Sequence, residues 1–171
     1  MPELSESVDG ADPMSADKKG YRRGVGVMLL NAAGKVFVGA RIDNTDEAWQ
    51  MPQGGIDPGE DDPWLAGLRE LEEETGIPPR LVERIADCPK RLKYDLPDAL
   101  RGKLWGGKYK GQDQDWYLAR FLGRDSDVNI KTRDPEFREW KWIEPSHLPD
   151  RIVPFKRDLY RNLLKEFAIH L

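Results

Sequence analysis

The sequence is poor in the residues that build covalent cross-links and zinc centres. Its 171 residues include one cysteine and two histidines. Cys88 has no partner for an internal disulfide, which fits a reducing cytoplasm. His147 and His170 lie far from any catalytic pattern, so the chain lacks material for a histidine-rich zinc site or a Ser-His-Asp triad. These absences argue against disulfide-stabilised, zinc-dependent and serine-hydrolase classes.

Long hydrophobic runs and a strong net charge are also missing. No apolar stretch approaches the ~20 residues that a membrane-spanning helix needs, and no secretory start is visible. Mean hydropathy is −0.70 and 34 % of the residues are charged, as in soluble globular proteins. The formal net charge of −4 argues against coating of nucleic acid by global charge, so phosphate binding must use local basic clusters. We expect a cytoplasmic protein with no membrane partner and no role in reading DNA.

The chain divides into an acidic tail and one folded domain. Residues 1–19 are small, polar and acidic, which predicts a disordered tail, and a single domain is predicted for residues 20–171. Residues 92–113 are basic and aromatic and are predicted to form a loop. Apolar and β-branched clusters predict strands, and an amphipathic pattern predicts a C-terminal helix, which together indicate an α/β or α+β domain. The predicted strands are 21–31, 35–41, 114–123 and 136–145, with another inside 80–89, and the predicted helix is 155–168.

A second helix is predicted in the middle of the chain. Asp61 or Asp62 can cap its start, Pro63 suits its first turn, and it runs to about Thr75. Gly76 supplies the C-terminal stop. Its buried stripe is predicted to consist of Leu65, Leu68 and Leu71, with Ala66.

Four carboxylates crowd the second half of this helix, at Glu70, Glu72, Glu73 and Glu74. Residues at i, i+3 and i+4 share a helix face, so Glu72 alone points elsewhere. Taken in isolation, such a charge run is more often a solvated face than a metal site. Two features favour a metal: anions are unfavourable near a helix C-terminus, and the preceding loop PQGGIDPGE can bring backbone carbonyls to the same point. Oxygen ligands alone suit Mg²⁺ or Mn²⁺.

This stretch resembles the signature of the Nudix hydrolase family, G-x5-E-x7-R-E-U-x-E-E-x-G-U, where U is bulky and aliphatic. The segment RELEEETGI matches the second half in full. Upstream, eight residues instead of seven separate Glu60 from Arg69, and counting back from Arg69 gives Gly55 and Asp61 in place of Gly54 and Glu60. The surplus leaves open which acid pairs with Arg69 and which glycine carbonyl lies at the metal.

The resemblance implies a fold, a reaction and a set of ligands. The implied fold is an α/β/α sandwich around a mixed sheet, with a loop-helix-loop metal site. The implied reaction is hydrolysis of a nucleoside diphosphate linked to another group, in which divalent metal neutralises the pyrophosphate and acidifies a water, and a carboxylate takes the proton. The implied metal ligands are Glu70, Glu73, Glu74 and Glu136, with Gly54 or Gly55. The implied catalytic residues are Glu74, Glu136, Glu73 and Arg69.

Over residues 20–171 the chain also resembles the bacterial RNA pyrophosphohydrolases, which are described as dinucleoside polyphosphate hydrolases too. This likeness rests on GYRRGVG, WQMPQGGID, GKYKGQDQDWYLARF, DPEFREWKWI and VPFKRDLYRNLLKEFA. It implies removal of pyrophosphate from the 5′-triphosphate end of RNA, and with it a part in mRNA decay. Phosphate contacts are implied for Arg22, Gln112 and Lys156, proximity to RNA bases for Tyr94 and Phe155, and substrate binding for Gln53.

Plainer explanations and other functions stay open at this point. Without the resemblance, Glu136 is a loop carboxylate, Arg22 is a surface charge, and Lys156 is a solvated side chain in the first turn of a helix. Phe155 and Tyr94 are then core aromatics. The same residues would serve a dinucleoside polyphosphate hydrolase, and a non-catalytic Nudix module that binds nucleotides is a third possibility. Basic clusters within 18–23, 90–93 and 103–110 fit an RNA end, whose binding would be dominated by phosphate contacts.

Overall fold

The computed structural model describes residues 20–44 and 46–171, so the predicted tail at 1–19 lies outside the described residues. The strands are β1 Tyr21–Leu30, β2 Val36–Arg41, β3 Gln53–Gly55, β4 Val82–Asp87, β5 Leu92–Asp95, β6 Gly111–Phe121 and β7 Phe137–Ile143. The α-helices are α1 Pro63–Thr75, α2 Asp98–Arg101, α3 Leu148–Arg151 and α4 Arg157–Glu166. Within these described ranges, no helix has the length and hydropathy that crossing a bilayer requires.

The strands form one mixed sheet with the order β4-β6-β1-β2-β7. The central strand β1 runs parallel to β6 along its whole length and antiparallel to β3 and β2 on its other edge. β5 adds to the start of β6, and β7 pairs with β2, both antiparallel. β1 is buried from residue 23 to residue 30, as expected for a strand with neighbours on both edges and cover on both faces. The predicted mixed sheet is confirmed.

Apolar side chains cover both faces of this sheet. Alternate residues of β1 point to opposite sides, so Met28 packs in a core with Tyr160 and Leu163 of α4. Val27 packs in the opposite core with Leu71 of α1. Helices therefore flank the sheet on both faces, and the α/β/α sandwich is confirmed.

The caps of α1 agree with the sequence, and the predicted stripe agrees in part, since Ala66 and Leu71 are buried and Leu68 is half-buried. Asp62 is the N-cap and accepts a hydrogen bond from the Trp64 N–H at 3.0 Å, and Gly76 ends the helix at a φ of 74°. The predicted burial of Leu65 is wrong, because this side chain is 59 % exposed. Each step of three residues falls short of a full turn, so Leu65 lies about 120° around the helix from the buried Leu71.

Two further expectations about secondary structure are corrected. Residues 92–113 are not a loop throughout, since they contain β5, α2 and the start of β6. In β5 the buried Leu92 and Tyr94 alternate with exposed neighbours, a period of two that was present in the sequence LKYD. The C-terminal helix is shorter than predicted, because a 3-10 turn at Pro154–Lys156 precedes α4.

One row of residues crosses three neighbouring strands near the start of β1 and β6. Arg22 of β1 pairs with Gln112 of β6, and Gln112 pairs with Tyr94 of β5. Paired residues in neighbouring strands project to the same face, so these three side chains share one side of the sheet. Their chain neighbours, such as Arg23 and Asp113, project to the other side.

Candidate active site

Arg69 joins the loop before α1 to the carboxylates of the helix. Its Nε and Nη2 donate to the two oxygens of Glu60 at 2.7 and 2.8 Å, and Nη2 also donates to the Gly55 carbonyl at 3.0 Å. Nη1 donates to Glu70 and Glu73, each at 3.2 Å. The bonds to Glu60 are the largest of the effects that raise the pKa of Arg69 above its ordinary value.

The surplus residue of the signature lies between Glu60 and the cap of α1. Glu60, not Asp61, pairs with Arg69, and Asp61 is exposed. Asp62 then starts the helix. The extra residue is therefore contained in the turn before α1, and the residues that follow Pro63 keep their helical phase.

The predicted carboxylate ligands surround one cavity. Its volume is about 270 Å³, and it lies between the end of α1 and the segment that precedes β7. Glu72 is exposed and does not line this cavity, as the helical spacing predicts. The acidic side chains on its wall are Glu70, Glu73, Glu74, Asp134 and Glu136.

Glu74 is the most buried of these carboxylates, with 1 % of its surface exposed. Its Oε1 accepts from the Gln53 N–H at 3.4 Å, and its Oε2 accepts no hydrogen bond from any residue that the structure describes. Burial, together with the charges of Glu70 and Glu136, raises the pKa of Glu74 well above its ordinary range. Burial also raises the pKa of Glu70 to about 7, against the opposing charge of Arg69. The charged form of a carboxylate this deeply buried needs a cation beside it.

A divalent cation fits this set of donors by its chemistry. The acidic groups on this wall are oxygen donors, the preferred ligands of Mg²⁺ and Mn²⁺. One of them is Glu74, whose Oε2 has no hydrogen-bond partner among the described residues, and Arg133 lines the same cavity. A Cβ on Gly54 would collide with the Glu70 carboxylate, so glycine is needed for their close approach. In residues 20–44 and 46–171, however, no three His, Cys, Asp or Glu side chains are already gathered tightly enough to hold a metal ion.

A second and larger cavity, of about 520 Å³, adjoins the carboxylates. Glu70 and Glu136 line both cavities, so the two share a wall. Cationic, aromatic and aliphatic side chains, together with amides and Asp43, line the rest of the larger cavity. All six predicted substrate-binding residues are on its wall, namely Arg22, Gln53, Tyr94, Gln112, Phe155 and Lys156.

Lys156 is a buried cation on this wall, with 7 % of its surface exposed. Its Nζ lies 4.9 Å from the centroid of the Tyr94 ring and 5.9 Å from that of Phe155, and the two rings are 5.8 Å apart. Burial and, to a smaller extent, the charge of Arg41 lower the pKa of Lys156 to about 8, while Glu74 and Glu136 oppose the shift. An anion in the cavity would satisfy this charge.

Arg41, at the end of β2, is a residue of the larger cavity that sequence reasoning missed. It donates two hydrogen bonds of 2.8 Å to Asp43, and its Nη1 lies 3.8 Å from Glu136. Hydrogen bonding to Asp43 raises the pKa of Arg41. The sequence around Arg41 does not distinguish it from a surface arginine, because its partner Glu136 is distant in the chain.

Trp105 and Gln50 were also missed. The Arg22 guanidinium lies over the Trp105 ring at 5.4 Å from its centroid, and a Cβ on Gly55 would collide with Arg22 from another side. Gln50 is 5 % exposed, and its Nε2 has no hydrogen-bond partner in the described part of the chain. The aromatic residues within 92–113 pointed to a role for Trp105 in the sequence, whereas no sequence feature pointed to a role for Gln50.

Comparison with known proteins agrees with this geometry. The NUDIX domain matches residues 20–163. A Sphingopyxis alaskensis protein named RNA pyrophosphohydrolase is 58 % identical over 152 residues, which cover 89 % of this chain and 96 % of the relative. A Novosphingobium aromaticivorans protein of the same name is 59 % identical over 149 residues, which cover 86 % and 92 %.

Solved structures show the same fold. The E. coli dihydroneopterin triphosphate pyrophosphohydrolase has a TM-score of 0.69 and 20 % identity, over 87 % of this chain and 96 % of that chain. A binary complex of the C. elegans Ap4A hydrolase has a TM-score of 0.62 and 25 % identity, over 85 % and 97 %. Because the NUDIX domain covers most of the chain and the relatives are this similar over nearly their whole length, the chain belongs to the Nudix hydrolase family.

Proposed function

We propose that this protein is a metal-dependent RNA pyrophosphohydrolase, which removes pyrophosphate from the 5′-triphosphate end of RNA by water attack on a phosphorus. The observation that carries the proposal is the shared wall between a carboxylate cavity and a larger cavity whose mixed wall includes three cations and three aromatic rings. The names of relatives that are 58 and 59 % identical support it. The reaction would contribute to mRNA decay in the cytoplasm.

The proposed cofactor is Mg²⁺, and Mn²⁺ suits the same oxygen donors. Nudix hydrolases generally use divalent metal ions. The Gly55 carbonyl already faces this region, where it accepts from Arg69 and retains a second lone pair, while Gly54 gives Glu70 room. When bound, the ion would neutralise phosphate charge and lower the pKa of a water. The residues proposed to hold it are Glu70, Glu73, Glu74, Glu136 and Gly55.

The chain's own cations and amides would bind the triphosphate. Arg22 is oriented by Trp105 and Gly55, and Lys156 is a buried charge that an anion would satisfy. Gln53 and Gln112 lie on the same wall. Aromatic faces would bind the first bases by stacking, which tolerates any base. The proposed stacking residues are Tyr94, Phe155 and Trp105.

Glu136 is our choice for the residue that accepts the proton of the attacking water. It lines both cavities, whereas Glu74 lines only the carboxylate cavity and is almost fully buried there. Burial raises the pKa of Glu136, which strengthens it as a base. Arg69 would hold the carboxylates in place and would not contact the substrate, because its N–H groups donate to carboxylates and to the Gly55 carbonyl.

Comparison of kcat/KM on 5′-triphosphorylated RNA and on diadenosine tetraphosphate, with Mg²⁺ and in ¹⁸O water, tests the proposal. The expected products from RNA are pyrophosphate and 5′-monophosphorylated RNA, with ¹⁸O on one product showing which phosphorus is attacked. A preference for the dinucleotide by orders of magnitude would assign the protein to the dinucleoside polyphosphate hydrolases. Absence of turnover on both would leave a nucleotide-binding module.

A further inference from the structure

A line of hydrogen bonds runs from the core of the sheet to the wall of the larger cavity. Trp116 Nε1 donates to Gln114 Oε1 at 2.8 Å. Gln114 Nε2 then donates to Gln53 Oε1 at 2.5 Å and to Gln112 Oε1 at 2.8 Å. Trp116, Gln114 and Gln112 are each at most 2 % exposed, and Gln112 and Gln53 lie on the wall of the cavity.

The indole of Trp116 gives this line its direction. An indole N–H only donates, so Gln114 must turn its carbonyl oxygen toward Trp116 and its NH₂ group toward the other two amides. The side-chain oxygens of Gln53 and Gln112 therefore accept the hydrogen bonds from Gln114. Their NH₂ groups are left for the cavity, where they are donors.

We propose that Gln114 is a positioning residue that makes Gln53 and Gln112 donate to the phosphates of the substrate. The inference rests on the proposed function, because it assigns a phosphate ligand to this cavity. A glutamine amide has nearly the same shape after a half-turn of its last torsion, but it then presents an oxygen, which repels a phosphate oxygen. Gln114 prevents that half-turn at both residues without contacting the ligand.

The packing beside Gln112 supports this account. A Cβ on Gly24 would collide with Gln112 Oε1, so the amide lies in space that only glycine leaves open. Gly24 pairs with Gln114 across the parallel ladder, and with Gly55 on its other side. The line of amides is therefore held between backbone segments as well as by its hydrogen bonds.

The test uses the variants Gln114→Met and Trp116→Phe. Trp140→Phe is the matched control, because it also removes an indole N–H but at a site away from the cavity. The measurements are KM and kcat on triphosphorylated RNA with Mg²⁺, and calorimetric binding of inorganic tripolyphosphate to the Mg²⁺-loaded protein. Q114M is expected to weaken tripolyphosphate binding and raise KM by about tenfold, the effect of one hydrogen bond to a charged group, with little change in kcat. W116F is expected to act in the same direction, and W140F to leave both values unchanged.

A double-mutant cycle separates positioning from mere stability. In a Gln53→Ala/Gln112→Ala background, Q114M is expected to have no further effect on tripolyphosphate binding, because the amides through which Gln114 acts are gone. A Q114M protein that only unfolds at lower temperature, with unchanged binding and KM, overturns the inference, and so does an additive effect in that background. If the wild-type protein binds tripolyphosphate but hydrolyses neither RNA nor dinucleotide, the proposed function is overturned. The binding measurements would then still decide the role of Gln114.

Discussion

Glu60 and Arg69 form a two-point ion pair across the turn that opens α1, with distances of 2.7 and 2.8 Å. The surplus residue of the signature lies inside this span, and the pair forms in spite of it. Because the same guanidinium also contacts Glu70 and Glu73, the pair connects the glycine loop to the carboxylate face of the helix. Its integrity should therefore affect both stability and turnover.

Glu60→Gln should lower the free energy of unfolding by about 1–2 kcal/mol, the range for a partly exposed hydrogen bond to a charged group. It should also lower kcat/KM on triphosphorylated RNA, since Arg69 would lose its largest partner. Asp61→Asn is the matched control and should change stability by less than about 0.5 kcal/mol. Urea unfolding and steady-state kinetics measure both effects. A larger loss in D61N would show that Asp61 is the acid of the signature.

Glu74→Gln should lower kcat on the order of 1,000-fold with Mg²⁺, because it removes the buried anion proposed to hold the metal. Glu72→Gln, on the exposed side of the same helix, should retain activity. Thermal unfolding with and without Mg²⁺ provides a readout that is independent of turnover. Mg²⁺ at about 100 times its dissociation constant should stabilise the wild type and E72Q by about 2.7 kcal/mol. Equal stabilisation of E74Q would remove Glu74 from the ligand set.

Lys156→Met should stabilise the protein at pH 7 while weakening substrate binding. The pKa of Lys156 is lowered to about 8, so at pH 7 the native state carries a buried charge that is solvated in the unfolded chain. Removal of that charge should raise the free energy of unfolding by about 3 kcal/mol. KM on triphosphorylated RNA should rise, because the phosphates lose a cation. Urea unfolding and steady-state kinetics at one pH give both values.

The stabilisation by K156M should depend on pH in a defined direction. Below pH 8 the lysine is protonated in both states, so the difference between the two proteins is constant. Between about 8 and the ordinary value of 10.5 the unfolded chain holds a proton that the native state has lost, so wild-type stability rises with pH relative to K156M. The advantage of the variant should therefore shrink above pH 8. An advantage that grows with pH would contradict the burial of a charged lysine.

Gly54→Ala should reduce turnover, because its Cβ would collide with the Glu70 carboxylate. Glu70 would have to move away from the other carboxylates, so the effect should fall on Mg²⁺-dependent kcat and on Mg²⁺ binding by calorimetry. Gly102→Ala is the control, since a Cβ there meets no atom within 4 Å. Equal activity in the two variants would show that Glu70 does not need its present position.

The helix with its carboxylates was predictable from sequence because its information is local. Cap, proline, carboxylate spacing and stop signal all lie within one segment, and helical geometry converts that spacing into a shared face. The pairing partner of Arg69 was not predictable, because Glu60 and Asp61 both precede the helix. The choice depended on where the cap lies, and Asp62 decides it.

The larger cavity was predictable only where a resemblance supplied the residues. Arg41, Gln50 and Trp105 come from separate segments, and no local pattern relates them to Glu136 or Arg22. The error at Leu65 has a different origin, because a run of leucines at steps of three was taken for one stripe. Such a run drifts around the helix, and its first member ends on the solvent side.

The row of Arg22, Gln112 and Tyr94 has a consequence for how this enzyme class could be retuned. The row is fixed by ladder pairing between β1, β6 and β5, and not by the connection between β5 and β6. That connection carries α2 and Trp105 over the cavity. A change in its length or composition would therefore alter the wall of the cavity, while the row of Arg22, Gln112 and Tyr94 keeps its register. Under the proposed function, phosphate contacts and nucleotide preference would therefore be set by different segments of the chain.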